Sequence, residues 1–436
     1  MEPKGTDIIF EEDETAEAVT WKVADGSYIS GDSVIFEYYS DGVKRRFKTS
    51  LVGVIHIPSE IRKLKVLRKD TFIGRVSECP HAIVMKDMCA ACGKDLREKN
   101  GMAGQRKEAS SANISMVHHV PELIVSNELA KELGSQDQKA LLEARKLVLL
   151  VDLDQTLVHT TNHRFNMEGS VDVIRYELRG ATFYTKVRPY ARELIEKIAR
   201  YYEMHIMSYG ERQYAHYIAR ILDPKQIYFG HRIMSRDELY SVMYKTRNMQ
   251  SLFPCGDHLI AMIDDRPDVW QYSEALIQVK PYRFFKETGD INALCVGRNA
   301  EKSNVDRIAE AELDTDEDET LEHIEKILVQ IHSAFYKNYD TGGVDRVQDL
   351  KVVISYLRRK VLRGCSVVLS GIVPVGVDPE KTDAFRLCIQ FGAKVTQDIT
   401  KDTTHVIAAR WGTTWNAKAF KTCFSYSLFE KILLAS

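Results

Sequence analysis

Hydrophobic positions between residues 21 and 76 come in short β-type runs, 33–39 and 51–57 among them, separated by Asp25-Gly26, Gly31-Asp32 and Asp41-Gly42 turns. Runs of that length between such turns predict a small β-rich unit over 1–78. The pattern disappears at 99–116, where Gly, Ala, Ser, Asn and charged residues dominate, so 96–140 is expected to be a linker. From residue 141 the rhythm changes: LVLLV at 147–151, a helical period near 191–201, the strand-like EMHIMS, a helical period at 212–221, then LIAMI at 259–263. Strand and helix in alternation over 141–300 predict an α/β fold, a parallel sheet with helices on both faces. Residues 312–319, ELDTDEDE, hold six acids in eight and precede a helical period with Leu321, Ile324, Ile327, Leu328 and Ile331 on one side. Acidic runs are usually solvated, so 301–350 is read as an acidic and helical linker. Finally, CSVVLSG and HVIAA bracket a helix near 384–391, which predicts a separate small α/β module over 351–436.

Composition narrows the classes. A chain of 436 residues fits two to four domains at roughly 100–200 residues each. Its 44% hydrophobic and 28% charged content suits folded cores, and a net charge of −2 gives no global basic field for direct nucleic-acid binding. The basic stretch Arg62, Lys63, Lys65, Arg68 and Lys69 is read as a solvated face. An acidic start without an apolar segment, and no apolar run long enough to span a bilayer, predict a soluble chain with no membrane partner. Eight cysteines are too few for a disulfide scaffold, which points to a reducing compartment.

Chemistry concentrates at the ends of the apolar strands. LVLLV runs directly into Asp152, Asp154 and Thr156, and LIAMI into Asp264 and Asp265. In an open parallel sheet, ligands bind beyond the carboxyl ends of the strands. Carboxylates so close together repel unless a cation or proton is shared, and magnesium is the simplest neutraliser. Ser208 ends EMHIMS and could hold phosphate oxygens with the N–H groups that follow, while Lys245 could supply a point charge to the same phosphate.

DLDQT at 152–156 matches the DxDxT signature of haloacid-dehalogenase-superfamily phosphatases. KVRP (186–189), MSYG (207–210), SRDE (235–238), LFPCGD (252–257) and IDDRPDVW (263–270) resemble the RNA polymerase II carboxy-terminal-domain phosphatases of the TFIIF-associating type, over about residues 145–296. The resemblance implies a haloacid-dehalogenase-like domain in which Asp152 is the nucleophile and Asp154 the general acid and base. It also implies that Thr156 positions the loop, that Ser208, where the family more often has threonine, and Lys245 bind phosphate, and that Arg188 supports substrate binding. Asp152, Asp154 through its backbone carbonyl, Asp264 and Asp265 would hold magnesium. The implied substrate is the phosphorylated C-terminal domain of RNA polymerase II, with TFIIF as a further partner and the nucleus as location. A small-molecule phosphatase of the same superfamily and a phosphoprotein-binding scaffold with weak catalysis are the competing readings.

Two accessory features remain. Cys79-x-His81-x7-Cys89-x2-Cys92-Gly93, within 79–95, offers four ligands at a spacing suited to structural zinc, the alternative being unliganded thiols in a reducing cell. The end of the chain resembles a BRCT domain through LRRKVLRGCSVVLSGIVP, FGAKVTQDI and TTHVIAAR. That resemblance implies a phosphate pocket at Ser370 and Gly371, with Lys418 or Lys421 as partners, and a final helix that is truncated or divergent here. The turn spacing of 21–76 is similar to that of lipoyl and biotinyl barrel-sandwich domains, without an attachment lysine.

Overall fold

The short β-type runs of the first 77 residues form eight strands: β1 (Gly5–Phe10), β2 (Ala16–Trp21), β3 (Tyr28–Ile29), β4 (Val34–Ser40), β5 (Val43–Lys48), β6 (Gly53–His56), β7 (Val66–Leu67) and β8 (Thr71–Ser77). They are described by a computed structural model that covers residues 5–97, 110–116, 120, 122–164, 172–241, 243–285, 289, 291–292, 318–342, 348–373, 376–409 and 423–425. The chain divides into two units, Met1–Gly134 and Ser135–Ser436.

In the first unit, sheets ordered β1-β8-β6-β3 and β5-β4-β2-β7 share one core around Phe10, Ile35, Phe36, Tyr38 and Ile55. Phe36 stacks on Phe47 with ring centroids 4.9 Å apart, a contact beyond simple area burial. The cysteine region adds β9 (Ile83–Met85) and β10 (Met88–Cys89), which pair with β11 (Ala112–Ile114) and β12 (Leu123–Ser126) in the order β10-β9-β12-β11. This corrects the linker expected over 96–140. Residues 112–126 contribute two strands, and a helix follows at Asn127–Glu143. Strands of three or four residues are too short to display a period, and they are held by pairing, β12 with β9 and β11 with β12.

The second unit is built on β13 (Leu147–Val151). Around it lie β14 (Val158–Thr161), β15 (Val173–Leu178), β16 (Ala181–Val187), β17 (Tyr202–Met207), β18 (Ile233–Met234), β19 (Ile260–Asp264) and β20 (Leu276–Gln278). A five-stranded, wholly parallel sheet runs β18-β17-β13-β19-β20. Leu147, Leu149 and Val151 face one core and Val148 and Leu150 the other, so β13 is buried on both sides and reads as an unbroken apolar run. Helices Ala191–Ile198 and Arg212–Leu222 cover the first face. Strands β14-β16-β15 form a separate antiparallel sheet.

A second correction concerns 301–350. Among its described residues, Thr320–Gly342 is a 23-residue helix whose Leu321, Ile324, Leu328, Ile331 and Phe335 join the same core as β13. Alternating steps of three and four place these residues on one stripe. Tyr202 donates to the Leu328 carbonyl at 2.7 Å and Arg145 grips Asp340 through two contacts of 2.9 Å. The helix is therefore part of the domain rather than a spacer.

Beyond the Leu350–Val361 helix, β21 (Ser366–Ser370), β22 (Lys394–Thr396), β23 (His405–Ala408) and β24 (Cys423–Ser425) form a second parallel sheet, β22-β21-β23-β24. Its core gathers Val367, Cys388, Phe391 and Ile407, with the Asp383–Gln390 helix packed on it. Among the described residues, no helix is long and apolar enough to cross a membrane.

Candidate active site

Three neighbouring strands end at one edge. Val151 of β13 is level with Ile206 of β17 and Ile263 of β19, so Asp152, the end of β17 with Ser208, and Asp264 with Asp265 emerge side by side. Parallel strands share a carboxyl edge, which is why three segments spread over more than a hundred residues supply one cluster. A pocket with about 240 Å³ of empty space opens there, lined by Asp152, Asp154, Lys245, Asp264, Asp265 and Arg266, with Tyr209 and Val269 beside them.

Lys245, fully buried in a 3₁₀ turn, places Nζ 2.6 Å from Asp152 Oδ1 and 2.7 Å from Asp264 Oδ2. Burial opposes its charge, but the two carboxylates outweigh that and hold the ammonium above its ordinary pKa. Burial also raises the Asp152 carboxyl well above the usual range. Lys245 works against the rise, and the charges of Asp264, Asp265 and Asp154 add to it. Both oxygens of Asp264 are engaged: Oδ2 also accepts from Trp270 Nε1 at 2.7 Å, and Oδ1 from the Arg266 N–H at 2.8 Å. Asp264 is thus the post that fixes Lys245.

Asp154 is aimed by residues that no short motif marks. Its Oδ1 accepts from the Tyr214 hydroxyl and its Oδ2 from Asn292 Nδ2 at 2.9 Å. Tyr214 has a single hydroxyl proton. Spent on Asp154, it leaves Thr160, 2.8 Å away, to donate to the tyrosine oxygen. Thr185 lies 2.7 Å from Thr160 and Tyr176 lies 2.8 Å from Thr185, so a buried chain of hydroxyls terminates on Asp154. Burial and the Asp154 charge raise the Tyr214 phenol well above its ordinary value, keeping it a donor. Gly210 of MSYG makes room for this tyrosine, because a Cβ there would lie 2.4 Å from Tyr214 Cδ1. Tyr214 sits 60 positions from Asp154, and only that spatially demanding glycine hints at it in the sequence.

The other expected residues fall into place unequally. Thr156 Oγ1 accepts from the Asp265 N–H at 3.2 Å, tying the β13 loop to the β19 loop. Gln155 between them has φ 58°, a left-handed conformation costly for a residue with a side chain. Ser208 is fully buried and its Oγ accepts from the Gly210 N–H at 3.0 Å. Arg188, expected to support substrate binding, is fully buried and is not among the residues that line the pocket. Its Nε donates to Asp318 Oδ2 at 2.9 Å, its Nη1 to the Thr156 carbonyl at 3.0 Å, and it packs over Tyr282. Burial raises the Asp318 carboxyl, but Arg188 and the hydrogen bonds from Thr320 together more than offset this and hold it below the usual range. Asp318 of the acidic run thus reaches a buried arginine that braces the loop after β13. In the last sheet, Ser370 is buried at the end of β21 and Gly371 has φ 68°, while Lys418 and Lys421 lie outside the described residues. Cys79, His81, Cys89 and Cys92 come together in the first unit.

Asp152, Asp264 and Asp265 present carboxylate oxygens within 4.8 Å of one another. Three carboxylates against one ammonium leave two negative charges uncompensated, and the donors are hard oxygens, so the set fits a divalent cation. With Oδ2 of Asp264 saturated by two donors, Asp152 and Asp265 are the better placed to hold it.

Comparison with known proteins agrees with this architecture. Residues 147–303 match the family of NLI interacting factor-like phosphatases and residues 357–422 the BRCA1 C Terminus (BRCT) domain. The chain is 52% identical over 412 residues to the RNA polymerase II C-terminal domain phosphatase of Caenorhabditis elegans, covering 93% of this chain and 62% of that protein. It is 44% identical to the Homo sapiens protein of the same name, covering 57% of this chain and 26% of that one, so it spans less than two thirds of these curated relatives. A variant of the fission yeast RNA polymerase II CTD phosphatase Fcp1, solved bound to beryllium fluoride, superposes with a TM-score of 0.57 at 31% identity, over 70% of this chain and 96% of that one. With a phosphatase domain followed by a BRCT domain, and a solved relative matched almost end to end, the chain belongs to the family of RNA polymerase II C-terminal domain phosphatases.

Proposed function

We propose that the chain is a magnesium-dependent protein serine phosphatase that removes phosphate from the heptad-repeat C-terminal domain of RNA polymerase II in the nucleus. The observation that carries this reading is the arrangement of Asp152 against Lys245, with Asp154 separately held by Tyr214 and Asn292 at the same pocket. Two carboxylates, one gripped by an ammonium and one by neutral donors, suit a nucleophile and a proton carrier.

Asp152 attacks phosphorus, forming an acyl phosphate as the bond to the serine oxygen breaks. Asp154, protonated, gives its proton to that departing oxygen. As a carboxylate it then takes a proton from the water that attacks phosphorus, so inorganic phosphate leaves and Asp152 is regenerated. Lys245 faces the negative phosphoryl oxygens, and Asp264 keeps it there. A magnesium ion held by Asp152 and Asp265, with the Asp154 backbone carbonyl, would supply further charge stabilisation at the phosphoryl group. The BRCT domain is the element suited to engaging the polymerase, whereas TFIIF as a partner rests on the resemblance alone.

The test is phosphate release from a phosphoserine heptad peptide, with magnesium or with chelator. Turnover should require magnesium and vanish in Asp152→Asn. Faster hydrolysis of sugar phosphates than of the peptide would favour a metabolite enzyme, and tight peptide binding without turnover would favour a scaffold.

A further inference from the structure

We propose that Cys79, His81, Cys89 and Cys92 bind one structural zinc ion that completes the fold of the β10-β9-β12-β11 sheet. The four ligand atoms lie within 4.8 Å of one another. The Cys79 and Cys89 sulfurs are 3.8 Å apart and Cys92 Sγ is 3.4 Å from His81 Nδ1. A tetrahedron with metal–sulfur bonds of about 2.3 Å and a metal–nitrogen bond of about 2.0 Å has edges of about 3.8 Å between sulfurs and about 3.5 Å from sulfur to nitrogen. A disulfide would instead require a sulfur separation of about 2.05 Å.

The backbone is shaped for the same purpose. Lys86 and Asp87, both at positive φ, make the tight turn that carries β9 into β10 and delivers Cys89. The chain then curls back: the Ala91 and Cys92 N–H groups donate to the Cys89 sulfur, and the Gly93 N–H to the Cys89 carbonyl at 2.9 Å. Gly93, at φ 72°, closes this knuckle in a conformation glycine adopts without cost. On the other arm, the His81 N–H donates to the Cys79 sulfur. N–H groups converging on sulfur are what a bound thiolate needs.

Among the described residues, the apolar support of this sheet is thin. Among those residues its hydrophobic cluster gathers Val84, Leu96 and Ala112, with Ile124 partly buried beside them, and Val125 of β12 is buried as well. So few apolar side chains do not offset the ordering of four strands and their turns, and small modules of this kind depend on a metal or a disulfide. Zinc would tie the segment leaving β8 to the knuckle after β10.

The test uses the full chain purified under reducing conditions without chelator. We expect about one zinc per chain by elemental mass spectrometry. Cobalt(II) exchange should give the intense d–d bands of a tetrahedral site and a thiolate-to-metal band in the near ultraviolet. Cys92→Ser should lose zinc and lower the melting temperature, while Cys255→Ser, in a cysteine outside the cluster, should keep it. If Cys92→Ser is insoluble, the wild-type cobalt spectrum decides alone. Sub-stoichiometric zinc after reconstitution, a six-coordinate cobalt spectrum, full zinc retention in Cys92→Ser, or a Cys79–Cys89 disulfide that survives purification under reducing conditions would each overturn the proposal.

Discussion

The carboxylate cluster of Asp152, Asp264 and Asp265 and the thiolate–imidazole cluster of Cys79, His81, Cys89 and Cys92 both gather anionic groups, in opposite surroundings. The carboxylates stand at the ends of β13 and β19, strands buried on both faces by two large cores, and Lys245 is already inserted between them. The thiols belong to a small sheet whose hydrophobic cluster, among the described residues, gathers Val84, Leu96 and Ala112. Where packing builds the site, a metal can come and go as a reagent. Where it does not, the metal is part of the fold. Hard oxygens in the first and soft sulfurs in the second match that division of labour.

The contrast can be broken by substitutions that act on one side only. Asp152→Asn removes the nucleophile and should lower turnover by at least about 10³-fold, with folding retained because one of several crowded like charges is gone. Circular dichroism and peptide turnover would check this, and zinc content should not change. Lys245→Met leaves Asp152 and Asp264 facing each other without their shared cation, so turnover should fall about 10²–10³-fold. Denaturant melts should show a loss of about 3–5 kcal/mol, the cost of removing one partner from a buried ion pair. Tyr214→Phe keeps the ring over Gly210 and deletes the donor to Asp154. We expect roughly a tenfold loss in kcat, part of the 10²–10⁴-fold that a general acid contributes, with a displaced pH profile. A profile that does not move would reduce Tyr214 to a packing residue. The smallest effect is the most selective. A divalent cation binds only ionised Asp152, so raising magnesium should shift the acid limb of kcat/KM to lower pH, by about one unit. The sign follows from the ion's preference for the carboxylate, and burial, which pushes that carboxyl upward, places the metal-free limb high.

Much of the catalytic half was legible in the sequence because its signals are local. LVLLV followed by Asp152 is an unbroken apolar strand ending in charge, and the same holds for the run before Asp264, so both edge positions could be read from spacing alone. What escaped is long-range. The stripe from Leu321 to Phe335 was visible as a helix, yet the acidic run before it suggested a linker, since nothing local reveals a partner on the Ala191–Ile198 helix. Asp318 and Arg188 are 130 residues apart, so their pairing and the bond from Arg188 to the Thr156 carbonyl have no local signal. Tyr214 carries no local mark, because its hydroxyl function exists only once β13 and the Arg212–Leu222 helix have met. The strand at 123–126 is defined by pairing with β9, and the strand at 112–114 by pairing with 123–126, rather than by any periodicity of their own.

The most direct test is to quench the enzyme in acid during turnover of a phosphoserine heptad peptide and map phosphorylation by mass spectrometry. The mechanism predicts a hydroxylamine-sensitive phosphoryl group on Asp152, absent from Asp152→Asn. Phosphate release that continues in Asp152→Asn, with no phosphoryl group found on the aspartate of the wild type, would contradict it.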